Sequence, residues 1–354
     1  MRHNYKHITL NPFCSSNPSL NGIMKMSIAV LLPQIIMLFI TKSYNSLVLL
    51  LCSIIAAQGA QVCYAVIKKS RAFLSWTIMF EGVIAGMLIP AGYPPHTLFI
   101  AVFTVLLLQN LIFGSYAQGW ANAVVVILIV LYFINPAMFP PSLLPHDCFT
   151  QSNAGSRLFS EGIVQVADFD KRIGGFLNGG IFYSWGISVP EGYITLLWDS
   201  QSAIPAFRFN LLTLAASLIL ISYKAADSLV TYAFLIVYGI AVRMLSLYPY
   251  GSLIGGGDVL LAFCTGGTLF AAFFPLNRFG TLPMTAVGKC IYGAVGGLCM
   301  FGMCGAGTSS AAVFFCLLFL NILSPAVQYI EDRIYDFQLH GILVQAGIKG
   351  VKHE

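Results

Sequence analysis

One acidic side chain interrupts a long apolar part of the sequence. Glu81 is the only carboxylate within the first five apolar segments of the chain. A charged residue at the centre of a membrane helix costs about 3 kcal/mol on insertion scales. Two interpretations stay open: Glu81 takes part in an ion or proton transfer step, or it lies near a membrane boundary, where it snorkels or pairs locally. Arg243, the only basic residue well inside a predicted span, is a conceivable partner.

Glycine clusters form a second group of candidate site residues. They read GGGD at 255–258, TGGT at 265–268 and GAG at 305–307. Glycine lets a helix or a cofactor approach the backbone closely. None of the clusters has the strand–turn–helix setting of a dinucleotide-binding motif, so we predict no such site. Close helix packing and a helix broken around a cavity both remain as interpretations.

Metal-binding and self-contained catalytic chemistry are not predicted. The nine cysteines include no CxxC pair, and most lie in apolar runs, where cysteine acts as a small hydrophobic residue. His96, His146 and His340 lie at loop or terminal positions without the spacing of metal ligands, and we expect them to face solvent. We therefore name no catalytic residue and no metal ligand.

The composition shows what kind of element must hold these residues. Of 354 residues, 58% are hydrophobic and 9% charged, and the mean hydropathy is +0.82. A soluble domain carries roughly 25% charged residues, so we predict an all-α polytopic membrane protein. The net charge of +5 is too small to indicate a nucleic-acid partner. Ten segments are long and apolar enough to be predicted as spans: 26–41, 46–67, 73–91, 96–114, 121–139, 207–223, 229–248, 257–275, 285–303 and 309–329.

The spans divide the chain into two halves of five helices. We predict a cytoplasmic N-terminus (1–25), a first half (26–139), an extracytoplasmic loop (140–206), a second half (207–329) and a cytoplasmic tail (330–354). The excess of Lys and Arg in the loops on one side sets this orientation. Because five is odd, the halves would form an inverted repeat, with sites near the midplane. A glycine precedes a proline by eight residues in the third and eighth spans (Gly82 and Pro90, Gly267 and Pro275), and the fifth and tenth are predicted to end alike, in Asn135-Pro136 and Ser324-Pro325.

The loop between the halves is long for a compact membrane protein. Loops of this length are usually functional or dock a partner. Trp185 in the loop and Phe207 at its end also fit simple anchors at the membrane interface.

Several motifs, taken in order, resemble the D subunit of the Rnf ion-translocating electron-transport complex. More distantly, the chain resembles the B subunit of the sodium-pumping NADH:quinone oxidoreductase. TGGTLFAAFF (265–274) resembles the family segment SGATxxGAFF, GKCIYGA (288–294) looks like GRLIFGA, and LNILSP (320–325) fits the final span. In the first half, 81–95 and 114–122 fall where the family has LLTGLLLA…PP and GGxGxNxFNPA. The resemblance covers about residues 25–330.

The resemblance implies a subunit of a translocase that moves electrons between ferredoxin and NAD, coupled to H+ or Na+ transport. It implies FMN as cofactor, with riboflavin as a second flavin, and partner subunits that include an extracytoplasmic flavoprotein. In the matching TGGT stretch, Gly266, Gly267 and Thr268 are the residues expected to border a cofactor. The alternatives from other classes are a solute or ion channel, or a secondary transporter, of inverted-repeat fold, and a scaffold subunit that has lost its flavin.

One family feature is missing from the sequence. Family members carry FMN on the threonine of an outside-loop SxAT motif, and the best local match here is EGIVQVADFD (161–170). The acceptor position falls on Ala167, which has no hydroxyl, and the motif serine falls on Val164. Thr195 is the nearest threonine downstream, but its surroundings do not look like the motif. Either the alignment shifts in this divergent loop or the subunit lacks covalent FMN, and we do not expect covalent FMN at Ala167. The TDP step after the eighth span is also replaced, by Leu276-Asn277-Arg278.

Overall fold

The computed structural model describes residues 19–114, 119, 121–140, 166–186, 188–245, 257–305 and 311–345. Within these ranges every regular element is helical, as the composition predicts. The first group of helices is α1 (Leu20–Ile40), α2 (Tyr44–Ile67), α3 (Trp76–Met87), α4 (Pro95–Phe113) and α5 (Ala123–Ile134). The loop region holds α6 (Asp168–Phe176) and α7 (Tyr193–Trp198). The second group is α8 (Asn210–Ser222), α9 (Ser228–Leu245), α10 (Val259–Thr265), α11 (Thr268–Phe273), α12 (Ala286–Cys304) and α13 (Ala312–Gln345).

Five of these helices are long and apolar enough to cross a membrane: α1, α2, α4, α12 and the Ala312–Phe337 part of α13. Four shorter apolar helices, α3, α5, α8 and most of α9, accompany them. Many large hydrophobic side chains on the outside are well exposed, among them Ile36, Ile55, Ile112 and Leu218. Water would make such a surface unstable, whereas lipid accepts it. The chain is a multi-pass membrane protein.

Two predicted helix boundaries are wrong. The eighth predicted span, 257–275, is not one helix, because α10 ends at Thr265 and α11 begins at Thr268. Gly267 adopts a φ of +70°, a left-handed conformation that interrupts the helix. The tenth predicted span does not end at Ser324-Pro325, because α13 continues through Pro325. Neighbouring helices and side chains in a membrane protein can compensate for the hydrogen bond that proline removes. The fifth helix does end at the predicted place, before Asn135-Pro136.

The same helix pairings occur in both halves. In the first half α2 packs on α4, α1 on α3 and α4 on α5; in the second half α9 packs on α12, α8 on α11 and α12 on α13. The halves meet where α1 contacts α8 and where α5 contacts α13. The buried apolar residues of both halves form one continuous core, and the segment that follows α11 contacts α3 and the residue before α5.

Glycine makes the tightest helix pairs possible. A Cβ built on Gly86 of α3 would lie 2.9 Å from the Leu50 Cα of α2, and one built on Gly297 of α12 would lie 2.6 Å from the Phe234 carbonyl oxygen of α9. Each glycine has a second glycine four residues before it on the same face, Gly82 and Gly293. This small-residue spacing is the usual means by which membrane helices approach closely.

The end of the central loop is attached to the first half. Arg208 donates two hydrogen bonds to Asp199, of 3.0 and 2.6 Å, and a third of 2.6 Å to the Ser43 hydroxyl between α1 and α2. The Ala91 amide after α3 donates to the Ala203 carbonyl at 2.9 Å. These bonds fix the loop over one end of the bundle.

Candidate functional site

Glu81 lies deep in the protein, on a helix too short to span a bilayer. The side chain belongs to α3, whose 12 residues reach about 18 Å, against about 30 Å of hydrocarbon. Pro90 follows the helix end closely and prevents its continuation, because proline lacks an amide hydrogen and disfavours helix before it. Glu81 is 1% exposed. The burial excludes a Glu81 side chain that reaches the surface, whereas an ion or proton transfer step and local pairing both stay open as interpretations.

The carboxylate of Glu81 pairs with an arginine from the second half. Arg278 Nη1 lies 3.3 Å from Glu81 Oε1, and both side chains are almost fully buried. Gln109 of α4 donates to the same Oε1 at 3.4 Å. A buried carboxylate and a buried guanidinium each need compensation, so removing either would leave an isolated charge in an apolar interior.

Asn122 connects this pair to the backbone of both halves. Its Oδ1 accepts from the Val124 amide at 3.1 Å, which caps α5, and from Arg278 Nη1 at 3.3 Å. Its Nδ2 donates to the Pro275 carbonyl at 2.9 Å, in the segment after α11. Gly119 lies so near that a Cβ there would be 3.3 Å from Arg278 Nη2. The site therefore stands at the junction of α3, α4, the start of α5 and the segment after α11.

The cluster is not fully satisfied. Among the described residues, Glu81 Oε2 and Gln109 Oε1 are buried acceptor oxygens without a hydrogen-bond donor. A buried polar atom without a partner costs about 1–3 kcal/mol, and proteins keep such atoms mainly where they serve a function or hold water or an ion. The two oxygens give the site the capacity to accept a proton or to help hold a cation.

Non-helical backbone that is buried inside the protein lies around the site. Leu88 and Ile89 after α3, and Phe274 and Leu276 after α11, are all buried although they lie outside helices. Within a bilayer, irregular backbone is tolerated only where protein covers it or where it lines a cavity. In transporters such interrupted helices border ion and substrate sites near the midplane. Glu81 lies on the short helix α3, and Arg278 lies in the buried non-helical segment that follows the broken eighth span.

The pairing of Glu81 with Arg243 is wrong. Arg243 Nη1 instead donates to the Gly257 carbonyl at 3.2 Å. Arg278, which the sequence assigns to an inside loop, is the actual partner because the chain turns back into the protein after α11. The sequence does hold one signal for it: Arg278 comes shortly after Pro275, just beyond the segment 265–274 that resembles the family. Gln109 and Asn122 carry no comparable signal, although Asn122 lies in the segment that matches GGxGxNxFNPA.

The residues expected to border a cofactor lie in the interruption between α10 and α11. Gly267 is covered by Phe207, and a Cβ on Gly267 would lie 2.0 Å from that ring. The Thr268 hydroxyl donates to the Ala262 and Phe263 carbonyls at 3.2 and 3.0 Å, so it is used within the helix break. Gly266 is also buried. A role for these three residues beside a cofactor stays a prediction, and the structure gives them a packing role. Phe207, expected as an interface anchor, is 1% exposed and so lies inside the protein.

The loop residues at the predicted flavin position are joined by hydrogen bonds to neighbouring loop residues. Val164 and the rest of 161–165 lie outside the described residues, whereas Ala167 stands immediately before α6. The Ala167 amide donates to the Thr195 hydroxyl oxygen at 3.3 Å. Thr195 in turn donates its hydroxyl, at 2.8 Å, and its amide, at 2.6 Å, to Asp170 Oδ2. Asp170 and Thr195 are each 1% exposed.

The remaining histidines add nothing to the site. His96 is exposed at the start of α4, as predicted. His146 lies outside the described residues, and for His340 the structure describes the helical backbone alone.

Comparison with known proteins agrees with the membrane architecture and with the motifs. Residues 7–336 match the profile of the NQR2, RnfD, RnfE family. Three similar proteins are each named as the D subunit of an ion-translocating oxidoreductase complex. The one from Actinobacillus succinogenes is 24% identical over 299 residues, 77% of this chain and 81% of that protein. The one from Mannheimia succiniciproducens is 23% identical over 355 residues, 94% of this chain and 99% of that protein. The one from Actinobacillus pleuropneumoniae serotype 5b is 23% identical over 349 residues, 91% of this chain and 96% of that protein. The family match covers nearly the whole sequence, and the chain therefore belongs to the NQR2, RnfD, RnfE family.

Proposed function

We propose that the chain is the D-type membrane subunit of an Rnf-type complex in a bacterial inner membrane and that Glu81 belongs to its ion path. The relatives are named as subunits of ion-translocating oxidoreductase complexes. The observation that carries the proposal is the incompletely satisfied Glu81–Arg278 pair, buried where the short helix α3 meets the segment after α11. An intramembrane charge in such a place usually marks an ion or proton path.

The chemistry of the pair suits a transfer step. When Glu81 is ionised, Arg278 and Gln109 stabilise its charge through Oε1. When Glu81 takes up a proton or lies beside a cation, the attraction to Arg278 weakens, and the neighbouring segment after α11 loses one of its attachments. The site can thus couple occupancy by a positive ion to a change in how the halves contact each other. Either H+ or Na+ is compatible with this coupling.

Ten spans in two inverted halves are the architecture that we propose for this subunit. The matching helix pairs in the two halves support it, and so do α3 and α11, each of which ends shortly before a proline. The distribution of Lys and Arg favours cytoplasmic termini and an extracytoplasmic loop. The loop, fixed over the bundle through Arg208, is the surface that we assign to the extracytoplasmic flavoprotein partner.

The reaction that we propose for the complex is electron transfer between ferredoxin and NAD, coupled to movement of H+ or Na+. This assignment comes from the family resemblance. The subunit itself supplies no acid–base catalyst for the redox step, because electron transfer requires cofactors held close together and not a proton-transferring side chain. Other subunits of the complex complete the chain of carriers, and membrane lipid surrounds them.

Flavin is the cofactor class that we propose for the subunit, but the described residues do not fit an ester link to FMN at the family position. Ala167 has no hydroxyl, and the Thr195 hydroxyl is buried and donated to Asp170. We therefore propose that FMN or riboflavin, where this subunit holds one, is held without a covalent bond to Ala167.

The ion path can be tested with Glu81→Gln in the assembled complex. Reconstituted in vesicles and supplied with reduced ferredoxin and NAD, the complex should move at least about tenfold fewer ions per electron, since glutamine cannot carry the charge. Glu191→Gln is the matched control, because it makes the same change at an exposed loop carboxylate. Ion transport that stays coupled in Glu81→Gln would contradict the role of Glu81, and solute flux through the isolated subunit would favour a channel.

Flavin attachment is tested by mass spectrometry of the intact subunit purified from its own membrane. We expect the mass of the unmodified chain and no flavin fluorescence after denaturing electrophoresis. Ala167→Thr is the companion variant, because it restores the hydroxyl at the family position. An added mass of one FMN in the unaltered chain would refute the proposal.

A further inference from the structure

An apolar cavity of about 540 Å³ lies between α6, α7 and the first turn of α8. Its wall includes Phe169 and Ile173 of α6, Leu177 just after it, Ile194 and Trp198 of α7, and Leu211 of α8. The volume is within the range of about 300–1,000 Å³ that ligand pockets occupy. Ligand pockets usually add a few polar groups that fix orientation, and this wall is built from hydrocarbon and aromatic side chains. The lining therefore favours a hydrocarbon ligand.

The helix over this cavity is amphipathic. Phe169, Ile173 and Phe176 follow one another at helical spacing on one face. Arg172 is exposed beside that face and Lys171 on the opposite one, and the exposed Asp168 of the first turn carries the opposite charge. Phe176 is 68% exposed, although it is a large apolar residue. A helix that has one apolar face and a charged remainder, and that is not strongly apolar as a whole, is typical of one that lies in the plane of a membrane interface.

Exposed aromatic residues follow α6 in the chain. Tyr183 is 80% exposed and Trp185 is 69% exposed, so neither is part of the protein core. Tyr and Trp are enriched at the level of the lipid headgroups, where their rings are partly in hydrocarbon and partly in water. Trp185, expected from sequence as an interface anchor, thus lies shortly after the amphipathic helix in the chain.

The cavity is continuous with the surface that faces lipid. Leu211 lines the cavity and is also 45% exposed on α8. Further along the same helix, Leu218 is 70% exposed, as expected of a side chain in contact with acyl chains. An acyl chain that runs along α8 can therefore enter the cavity without crossing water.

We propose that this cavity binds one acyl chain of a membrane phospholipid, with α6 lying in the interface. The exposed Lys171 and Arg172 then face the headgroup phosphate and favour an anionic lipid. This site is separate from the buried Glu81 pair, and it does not depend on which ion the complex moves. It attaches the central loop to the bilayer beside the partner-facing surface.

Brominated lipids, which quench tryptophan fluorescence on contact, test the proposal in the full chain. Trp76, Trp120 and Trp185 are replaced by phenylalanine so that Trp198 in the cavity wall is the only reporter. In nanodiscs of phosphatidylglycerol with brominated acyl chains, its fluorescence should fall by more than half relative to unbrominated lipid. Ile194→Phe, which fills the cavity, should remove most of that quenching. Leu218→Phe makes a similar enlargement on the open lipid face and should leave it unchanged.

The contribution of the two basic residues is tested separately. Lys171→Gln together with Arg172→Gln should lower the preference for phosphatidylglycerol over phosphatidylcholine by about fivefold for each charge removed. The proposal is overturned if Trp198 is not quenched, or if quenching survives Ile194→Phe. It is also overturned if a stoichiometric flavin or quinone co-purifies with the chain and is lost in Ile194→Phe, because the cavity would then hold a cofactor.

Discussion

Arg208 and Arg278 both pair with a carboxylate, yet the two pairs are built differently. Arg208 makes two hydrogen bonds to Asp199 and one to Ser43, at 15% side-chain exposure for the arginine and 20% for the aspartate. Arg278 meets Glu81 through one oxygen at 3.3 Å, at 1% and 2% exposure. In the more accessible pair, both carboxylate oxygens accept hydrogen bonds from the arginine. In the buried pair, the second Glu81 oxygen has no donor among the described residues.

This contrast distinguishes a pair that attaches the loop, Arg208 with Asp199, from a pair that serves a function, Arg278 with Glu81. A bidentate arginine–carboxylate pair has a fixed geometry, which suits the attachment of a loop to a bundle. A buried pair with an unused acceptor is a costly arrangement that stability alone does not explain, because well-packed apolar residues of similar volume often replace such pairs without loss. The comparison predicts large effects on stability and transport at Arg278, and smaller effects on stability alone at the outer pairs.

The largest effect is expected from Arg278→Met. The change leaves the Glu81 carboxylate buried without its cation, which should lower the free energy of unfolding by about 3–5 kcal/mol. Denaturant titration in detergent measures the loss. The double variant Glu81→Leu with Arg278→Met should recover most of the stability while ion transport stays abolished. A double variant as unstable as the single one would mean that the pair is mainly structural.

A smaller effect is expected from Arg208→Lys. Lysine keeps the charge but cannot form the bidentate interaction with Asp199. Because the pair is partly exposed, the free energy of unfolding should fall by only about 1 kcal/mol. Coupled ion transport should stay normal, and the loop should become more sensitive to limited proteolysis. If transport fell as far as in Glu81→Gln, the distinction between the two arginines would be lost.

The smallest effect is expected at Lys289. Its amino group lies 2.6 Å from Asp227 Oδ2, but the two side chains are 24% and 21% exposed. Water and salt screen a pair of this kind, so Lys289→Gln should change the free energy of unfolding by no more than about 1 kcal/mol. The change should shrink further at high ionic strength. A loss as large as that of Arg278→Met would show that proximity matters more than burial in this bundle.

Part of the candidate site could be found without the structure. Glu81 stands out because it is the only carboxylate in the first five apolar segments, and a charge in such a segment needs a reason. The glycine-rich stretch at 265–268 likewise suggested a broken helix as one of two interpretations. The partner of Glu81 could not be found, because Arg278 is 197 positions away in the numbering and no local pattern connects the two.

The sequence by itself determined the class of this protein, since the length and spacing of its apolar segments leave the bilayer as the only suitable solvent. It also determined that Ala167 cannot carry an ester. Only the tertiary structure decided that Arg278, and not Arg243, approaches Glu81, that Asn122 connects both to the segment after α11, and that an apolar cavity lies beside α6. The physical reason is that hydropathy is a property of local sequence, whereas the neutralisation of a buried charge depends on which distant segment the packing brings within a few ångströms.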